Sequence, residues 1–447
     1  MSTEPRRAIA RPPDPPAAKL PSRRRAAVAL VGARVFAAAC GLVQVRLVAE
    51  ALGPEGLGLW VTLIGALWTA TLFDGGLGFA VQNRVTRLYA DGREAAADAV
   101  IAWANRRLLV SALAVALLGG VVAAVVPWPE WIAIEDRDLA TAWRNAVWVI
   151  TLAAAAVTAL ALPARLAAAR QRLELTGGYT ALAAGLGLLA TFVAARAGAS
   201  LTAFAAAGTV LAVLPPALTW WHVRPRSSST GAAPREAAGL WPEAGLFLVP
   251  QVGAAFISHL VPVLMMFFAG PLAAAAFGVL QRLYGFGLQV QTLALAPSWP
   301  AYTDAAARGD ASRARSLFRE TLILTGLGFV LPLLALTPWV PRLLGVWLGA
   351  DAPPVSVSLL AWTAAWFALQ GGGQAIAVLL NGVGRLKALA ATAWIGIAAT
   401  LALSPWLASR HGATGVVVAL LLPYAALNLP LTAREAVRAL RSIGPRP

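Results

Sequence analysis

The chain has 447 residues, 59% of them hydrophobic and only 13% charged, with a mean hydropathy of +0.70. Soluble domains carry roughly a quarter of charged residues, so this balance excludes one and indicates an all-α polytopic membrane protein. A single cysteine, Cys40, excludes a disulfide framework and a cysteine metal site, while the formal charge of +16 raises nucleic acid as a partner until the basic residues are placed.

Residues 1–25, with Pro12-Pro13-Asp14-Pro15-Pro16 and Arg23-Arg24-Arg25, offer too little apolar surface for a core and read as a disordered basic cytoplasmic tail. A membrane-spanning helix needs roughly 20 apolar residues. Scanning on that basis predicts about twelve, near 26–50, 57–79, 101–126, 140–162, 179–196, 201–221, 244–268, 272–296, 319–340, 355–380, 388–408 and 413–432. Trp60, Trp128, Trp131, Trp241, Trp299 and Trp339 fall near predicted span ends, as an interfacial aromatic belt requires.

The longest polar break, 222–243, divides the chain into an N-lobe of six helices (26–221), a cytoplasmic linker (222–243), a C-lobe of six helices (244–432) and a cytoplasmic C-terminal tail (433–447). Of the 36 Lys and Arg residues, 28 fall in segments on the side of the N-terminal tail. This is the positive-inside pattern, so the charge orients the chain against an anionic membrane face, with both termini inside, and calls for no nucleic acid.

The two lobes read as repeats. Gly53-Pro54 and Gly92 recur 217 residues later as Gly270-Pro271 and Gly309. Arg172-Leu173 corresponds to Arg385-Leu386, and Leu214-Pro215 to Leu422-Pro423. An even number of spans per lobe gives both copies one orientation, with the repeat axis along the membrane normal.

Nucleotide-binding and hydrolase motifs are missing, and the three histidines, His222, His259 and His411, are scattered, which argues against a histidine metal centre. No cofactor is expected. Polar groups at membrane depth are the candidates instead, because burying charge in lipid is costly unless it faces a wet cavity or a partner. Arg34 lies nine residues beyond Arg25, roughly 13 Å into the helix at a rise of about 1.5 Å per residue. Arg282 is in the eighth span, seven residues before Gln289 on the same helical face. Arg46 and Arg144 lie nearer the outer interface, where snorkelling competes with a functional role. His259 stands between Pro250 and Pro262, which predicts a kinked seventh span. Gln370 and Gln374 flank three glycines in the tenth span, readable as a hinge beside hydrogen-bonding groups or as close helix packing. Only Glu50 and Asp74 supply carboxylates, both at span ends, and Asp74 reads as a cap or a partner of Arg84 or Arg87. Arginines without carboxylates fit an anionic head group such as pyrophosphate better than an organic cation.

Leu52–Trp60, LGPEGLGLW, followed by FDGGLGFAVQNRVTRLYADG to Gly92, resembles the Wzx-type polysaccharide flippases of the multidrug/oligosaccharidyl-lipid/polysaccharide (MOP) exporter superfamily. The resemblance implies a MATE/MOP-like V-shaped fold whose helices one, two, seven and eight line a central cavity; Arg34, His259 and Arg282 fall on those helices. It implies a substrate, an undecaprenyl-pyrophosphate-linked oligosaccharide, moved across the bacterial inner membrane. Polysaccharide polymerase and glycosyltransferases would be partners, besides membrane lipids. About twelve spans, not fourteen, set the chain apart from the peptidoglycan-precursor branch. Helix one lacks the carboxylate of cation-coupled drug exporters, so that alternative is weakened and the coupling ion, H+ or Na+, stays open. A membrane-embedded glycan enzyme would need a larger outer loop than 127–138.

Overall fold

The computed structural model describes residues 23–128, 136–170, 172–225 and 235–443. Among them the chain is helical with no strand, as lipid requires of a backbone that must satisfy its own hydrogen bonds. Helix α1 (Arg23–Thr69) folds back on itself at Gly53, whose φ of 67° and ψ of −178° are open essentially to glycine alone. A tight turn at Ala70–Asp74 leads to α2 (Leu77–Ala90), α3 (Glu94–Val125), α4 (Arg137–Ala159), α5 (Leu162–Ala169), α6 (Leu173–Arg196) and α7 (Leu201–Val223).

The second half opens with α8 (Leu240–Ala255), a π-turn at Phe256–Leu260 and α9 (Val261–Ala269). It continues through α10 (Pro271–Leu295), α11 (Ser298–Ala307), α12 (Ala311–Thr325), a π-turn at Gly326–Val330, α13 (Leu331–Leu336) and α14 (Val340–Leu348). Then come α15 (Val357–Gly382), α16 (Leu386–Pro423), which doubles back at Gly412, a π-turn at Tyr424–Asn428 and α17 (Leu429–Ser442). Among the described residues eight segments are long and apolar enough to cross a membrane, and two of these, Gly32–Asp74 and Leu389–Ser442, contain 43 and 54 residues and reverse midway. With α8–α9 and α10, this gives the expected arrangement of about twelve crossings in two sets of six.

The repeat is visible in the backbone. Gly270 adopts φ 86° and ψ 176°, close to Gly53, and Gly92 and Gly309 have φ 71° and 67°. Arg172 (φ −109°, ψ 49°) and Arg385 (φ −92°, ψ 56°) stand in the same conformation before their helices. The structure adds a correspondence absent from the sequence reading: Gly198 in Arg196-Ala-Gly-Ala-Ser and Gly412 in Arg410-His-Gly-Ala-Thr both have positive φ, 60° and 54°.

Packing ties the halves together. One apolar cluster joins the second leg of α1 (Leu57, Trp60, Leu63) and α7 (Phe204) to α9, α10 and α15. A second, built on α2, α3 and α5, also takes in Ala237, Leu240 and Ala244, so the start of α8 is seated in the core of the first half. Large side chains such as Leu117 and Val346 remain exposed, as a lipid-facing surface requires.

The expected aromatic belt needs a correction. Trp241, Trp299 and Trp339 are exposed, but Trp60 and Trp128 are buried, Trp60 to 2%. Trp128 packs edge-on against Trp143, and Trp60 sits between helices of both halves. Trp131 and the tail up to residue 22 lie outside the described residues. The first helix begins at Arg23, and α17 extends through most of the stretch expected as a C-terminal tail.

Candidate functional site

Between the two halves lies a cavity of about 440 Å³. The first half contributes Gly41 and Gln44 from the first leg of α1, Trp60 and Trp68 from the second, and Gly208 of α7. The second contributes His259, a stripe of α10, and Gln370 of α15. The stripe runs Gly278, Gln281, Arg282, Gly285, Gln289 and Thr292, the three- and four-residue spacing that keeps side chains on one helical face.

Glycines let the halves approach. A Cβ on Gly58 would lie 1.9 Å from the Pro271 carbonyl oxygen, one on Gly65 would lie 2.6 Å from that of His259, and one on Gly278 would meet Val61 at 2.6 Å. At the other, arginine-rich end, Gly76 with φ 80° passes so close to α8 that a Cβ would lie 2.2 Å from the Ala244 carbonyl oxygen. Arg84 donates there to the carbonyl oxygens of Glu236 and Ala238 and pairs with the Glu243 carboxylate at 2.9 Å, while Arg93 pairs with Glu236. The halves are thus clasped on both sides of the cavity.

Arg282 reaches across from α10 to the first half. Its Nη1 donates to the Gly41 carbonyl at 3.4 Å, and its guanidinium carbon lies over the Trp60 ring, 5.1 Å from the centroid. Trp60 is itself fixed, its Nε1 donating to the Phe204 carbonyl of α7 at 3.1 Å. Among the described residues no carboxylate pairs with Arg282, and none lines the cavity. A guanidinium with one weak carbonyl bond and one aromatic face retains N–H donors for an incoming oxyanion. His259 stacks on Trp68 with ring centroids 6.1 Å apart, within the predicted bend of the seventh span, which takes the form of the π-turn before Pro262.

Of the residues singled out from sequence, Arg282, His259, Gln289 and Gln370 come together on the wall. Arg34 sits on the first leg of α1, exposed and about one turn short of Ala37 and Ala38, where the wall begins. Arg46 is exposed and pairs with Glu50 at 2.7 Å, and Arg144 is exposed on α4. Gln374 is half-buried one turn past Gln370, outside the wall. The glycines between them stay helical and receive Phe329 and Tyr424, so close packing is what they provide. Asp74 caps α2, accepting from the backbone N–H of Gly76 at 2.7 Å and Gly78 at 3.2 Å; Arg84 has other partners. Sequence reasoning missed Gln44, Trp60, Trp68, Gln281 and Thr292. The regular spacing of polar and glycine residues along α10 was the available signal for Gln281 and Thr292.

No protein-family model matches the sequence, and neither does any curated protein. Solved structures do resemble the fold. A multidrug-resistance MATE-family transporter of the MOP superfamily, in its inward-facing conformation, superposes with a TM-score of 0.73 at 11% identity, covering 93% of this chain and 99% of its own. The lipid II flippase MurJ, in an inward closed conformation, gives 0.71 at 12% identity over 93% and 90%. A MATE transporter from Vibrio cholerae gives 0.58 at 15% identity over 94% and 95%. The chain therefore has the MATE/MOP transporter fold.

Proposed function

We propose that this chain is an alternating-access flippase that carries an undecaprenyl-pyrophosphate-linked oligosaccharide from the cytoplasmic to the outer leaflet for polysaccharide biosynthesis. The observation that carries the reading is the wall of the inter-half cavity: Arg282 faces it with no carboxylate beside it, among the amides of Gln281, Gln289 and Gln370. One guanidinium suits a pyrophosphate, and the amides suit sugar hydroxyls. A cavity of about 440 Å³ accommodates a head group while the lipid tail stays in the bilayer. The likeness to a lipid II flippase supports the same reading.

In this reading the arginine-rich end faces the cytoplasm of a bacterium, glycosyltransferases load the substrate there and a polymerase consumes it outside. Translocation breaks no covalent bond, and the energy source is a separate question. The likeness to MATE transporters favours a second reading, a cation-coupled antiporter of drugs or small molecules. That reading wants a carboxylate in the cavity, and the described wall has none.

The test is the leaflet distribution of lipid-linked oligosaccharide in cells with and without the protein. Accumulation on the cytoplasmic leaflet upon deletion supports the flippase. Unchanged distribution together with lost efflux of cationic dyes would establish the antiporter instead.

A further inference from the structure

Trp60 is held more firmly than its place in a cavity wall requires. Only 2% of it is exposed, its indole N–H is tied to the Phe204 carbonyl at 3.1 Å, and the guanidinium of Arg282 lies over its ring. Gly208 of α7 completes the seat: a Cβ there would come 2.4 Å from Ile64, one turn along from Trp60, so the glycine lets α7 lie against this leg of α1 beside the ring. Trp60 and Phe204 belong to the first half and Arg282 to the second.

We infer that Trp60 is the positioning residue for Arg282, an aromatic platform that holds the guanidinium facing the cavity so that its N–H edge meets the anionic group of the substrate. The inference rests on the anion-binding reading above. An arginine stem has several rotatable bonds and loses rotamer freedom when it engages a ligand. A platform that removes that freedom beforehand raises affinity without touching the ligand. An indole ring suits the task, since a cation over its face is attracted by the ring quadrupole while the in-plane donors stay free. The Gly41 carbonyl occupies one donor weakly, at 3.4 Å. Because the platform and the arginine come from different halves, the anion site is complete only while the halves are together.

The experiment measures binding of inorganic pyrophosphate to the purified full-length protein by calorimetry, alongside thermal unfolding. Trp60→Leu is expected to weaken binding about tenfold, and Trp60→Phe, which keeps a ring face, to remain within about threefold of the parent. In an Arg282→Lys background, which keeps the charge but lacks the planar fork, Trp60→Leu is expected to cost less than about threefold. Equal losses from Trp60→Leu in both backgrounds, or no loss in the parent, would overturn the positioning role while leaving the anion site intact. Pyrophosphate binding that is absent from the parent, or that Arg282→Ala leaves unchanged, overturns the anion-binding reading itself and the inference with it.

Discussion

The Tyr424 hydroxyl stands where a side chain on Gly373 would have to go, 1.8 Å from the position of its Cβ. Tyr424 opens the π-turn Tyr424–Asn428, and Phe329, within the π-turn Gly326–Val330, lies 2.4 Å from the corresponding point on Gly371. Two irregular helical turns thus push aromatic rings against α15 from different sides, Tyr424 at Gly373 and Phe329 at Gly371; beside the latter, the Gln291 amide donates to the Gly371 carbonyl at 2.9 Å and to Thr325 Oγ1 at 3.1 Å. Gly373→Ala should destabilise the protein by about 1–3 kcal/mol through overpacking. Adding Tyr424→Phe should recover most of that, because the nearest ring carbon is 3.0 Å away. Unfolding in detergent measures both, and an undiminished Gly373→Ala variant would show that the ring yields freely.

Gly53 and Gly270 test the repeat energetically. Both combine positive φ with extended ψ, and a Cβ on either would meet nothing within 4 Å. The cost of Gly53→Ala and of Gly270→Ala is therefore backbone strain alone, on the order of 1–3 kcal/mol, and similar at the two sites. Unfolding midpoints of the two variants compare them directly; a loss at one site only would argue against equivalent turns.

Arg84 is expected to hold the arginine-rich end together. Arg84→Ala removes the pair with Glu243 and two carbonyl bonds, and should increase the labelling rate of a cysteine placed in the cavity, as in Thr292→Cys in a Cys40→Ser background. Acid should loosen the same end only at low pH. The Glu236 carboxyl is held below the ordinary carboxylate range by the hydrogen bond to its own backbone N–H, and Arg93 adds to this. Its contribution is present above the ordinary carboxylate range and is lost as pH falls through the lowered value. Labelling rates across an acid titration follow this, and an Arg84→Ala rate equal to that of the parent would place the restraint elsewhere.

Arg34 and Arg282 should separate in function although both lie deep within predicted spans. Arg282→Ala is expected to reduce substrate movement at least about a hundredfold, the loss of a charge-assisted pair in a shielded site. Arg34→Ala should change it by less than about fivefold, its side chain being exposed and off the cavity wall. Leaflet-resolved transport of lipid-linked oligosaccharide measures both. A large Arg34 effect would mean that this residue enters the substrate path in another conformation of the cycle.

The membrane class, the number of crossings and the places where the chain turns were legible in the sequence, because each depends on local properties. Hydropathy over about 20 residues decides whether a segment enters lipid, and a glycine before a proline, as at Gly53 and Gly270, decides where the path reverses. The bend near His259 was legible too, since prolines act within their own helix. Which polar groups form a site was decided only by the tertiary structure, because the sequence does not say which face of a uniformly apolar helix meets another helix. Arg34 and Arg282 look equivalent as deep arginines. Arg282 faces the other half because Gly41 admits its guanidinium and Trp60 supports it. Trp60 reads in the sequence as one of several interfacial tryptophans, and only the fold brings Phe204, 144 residues away, to hold it in place.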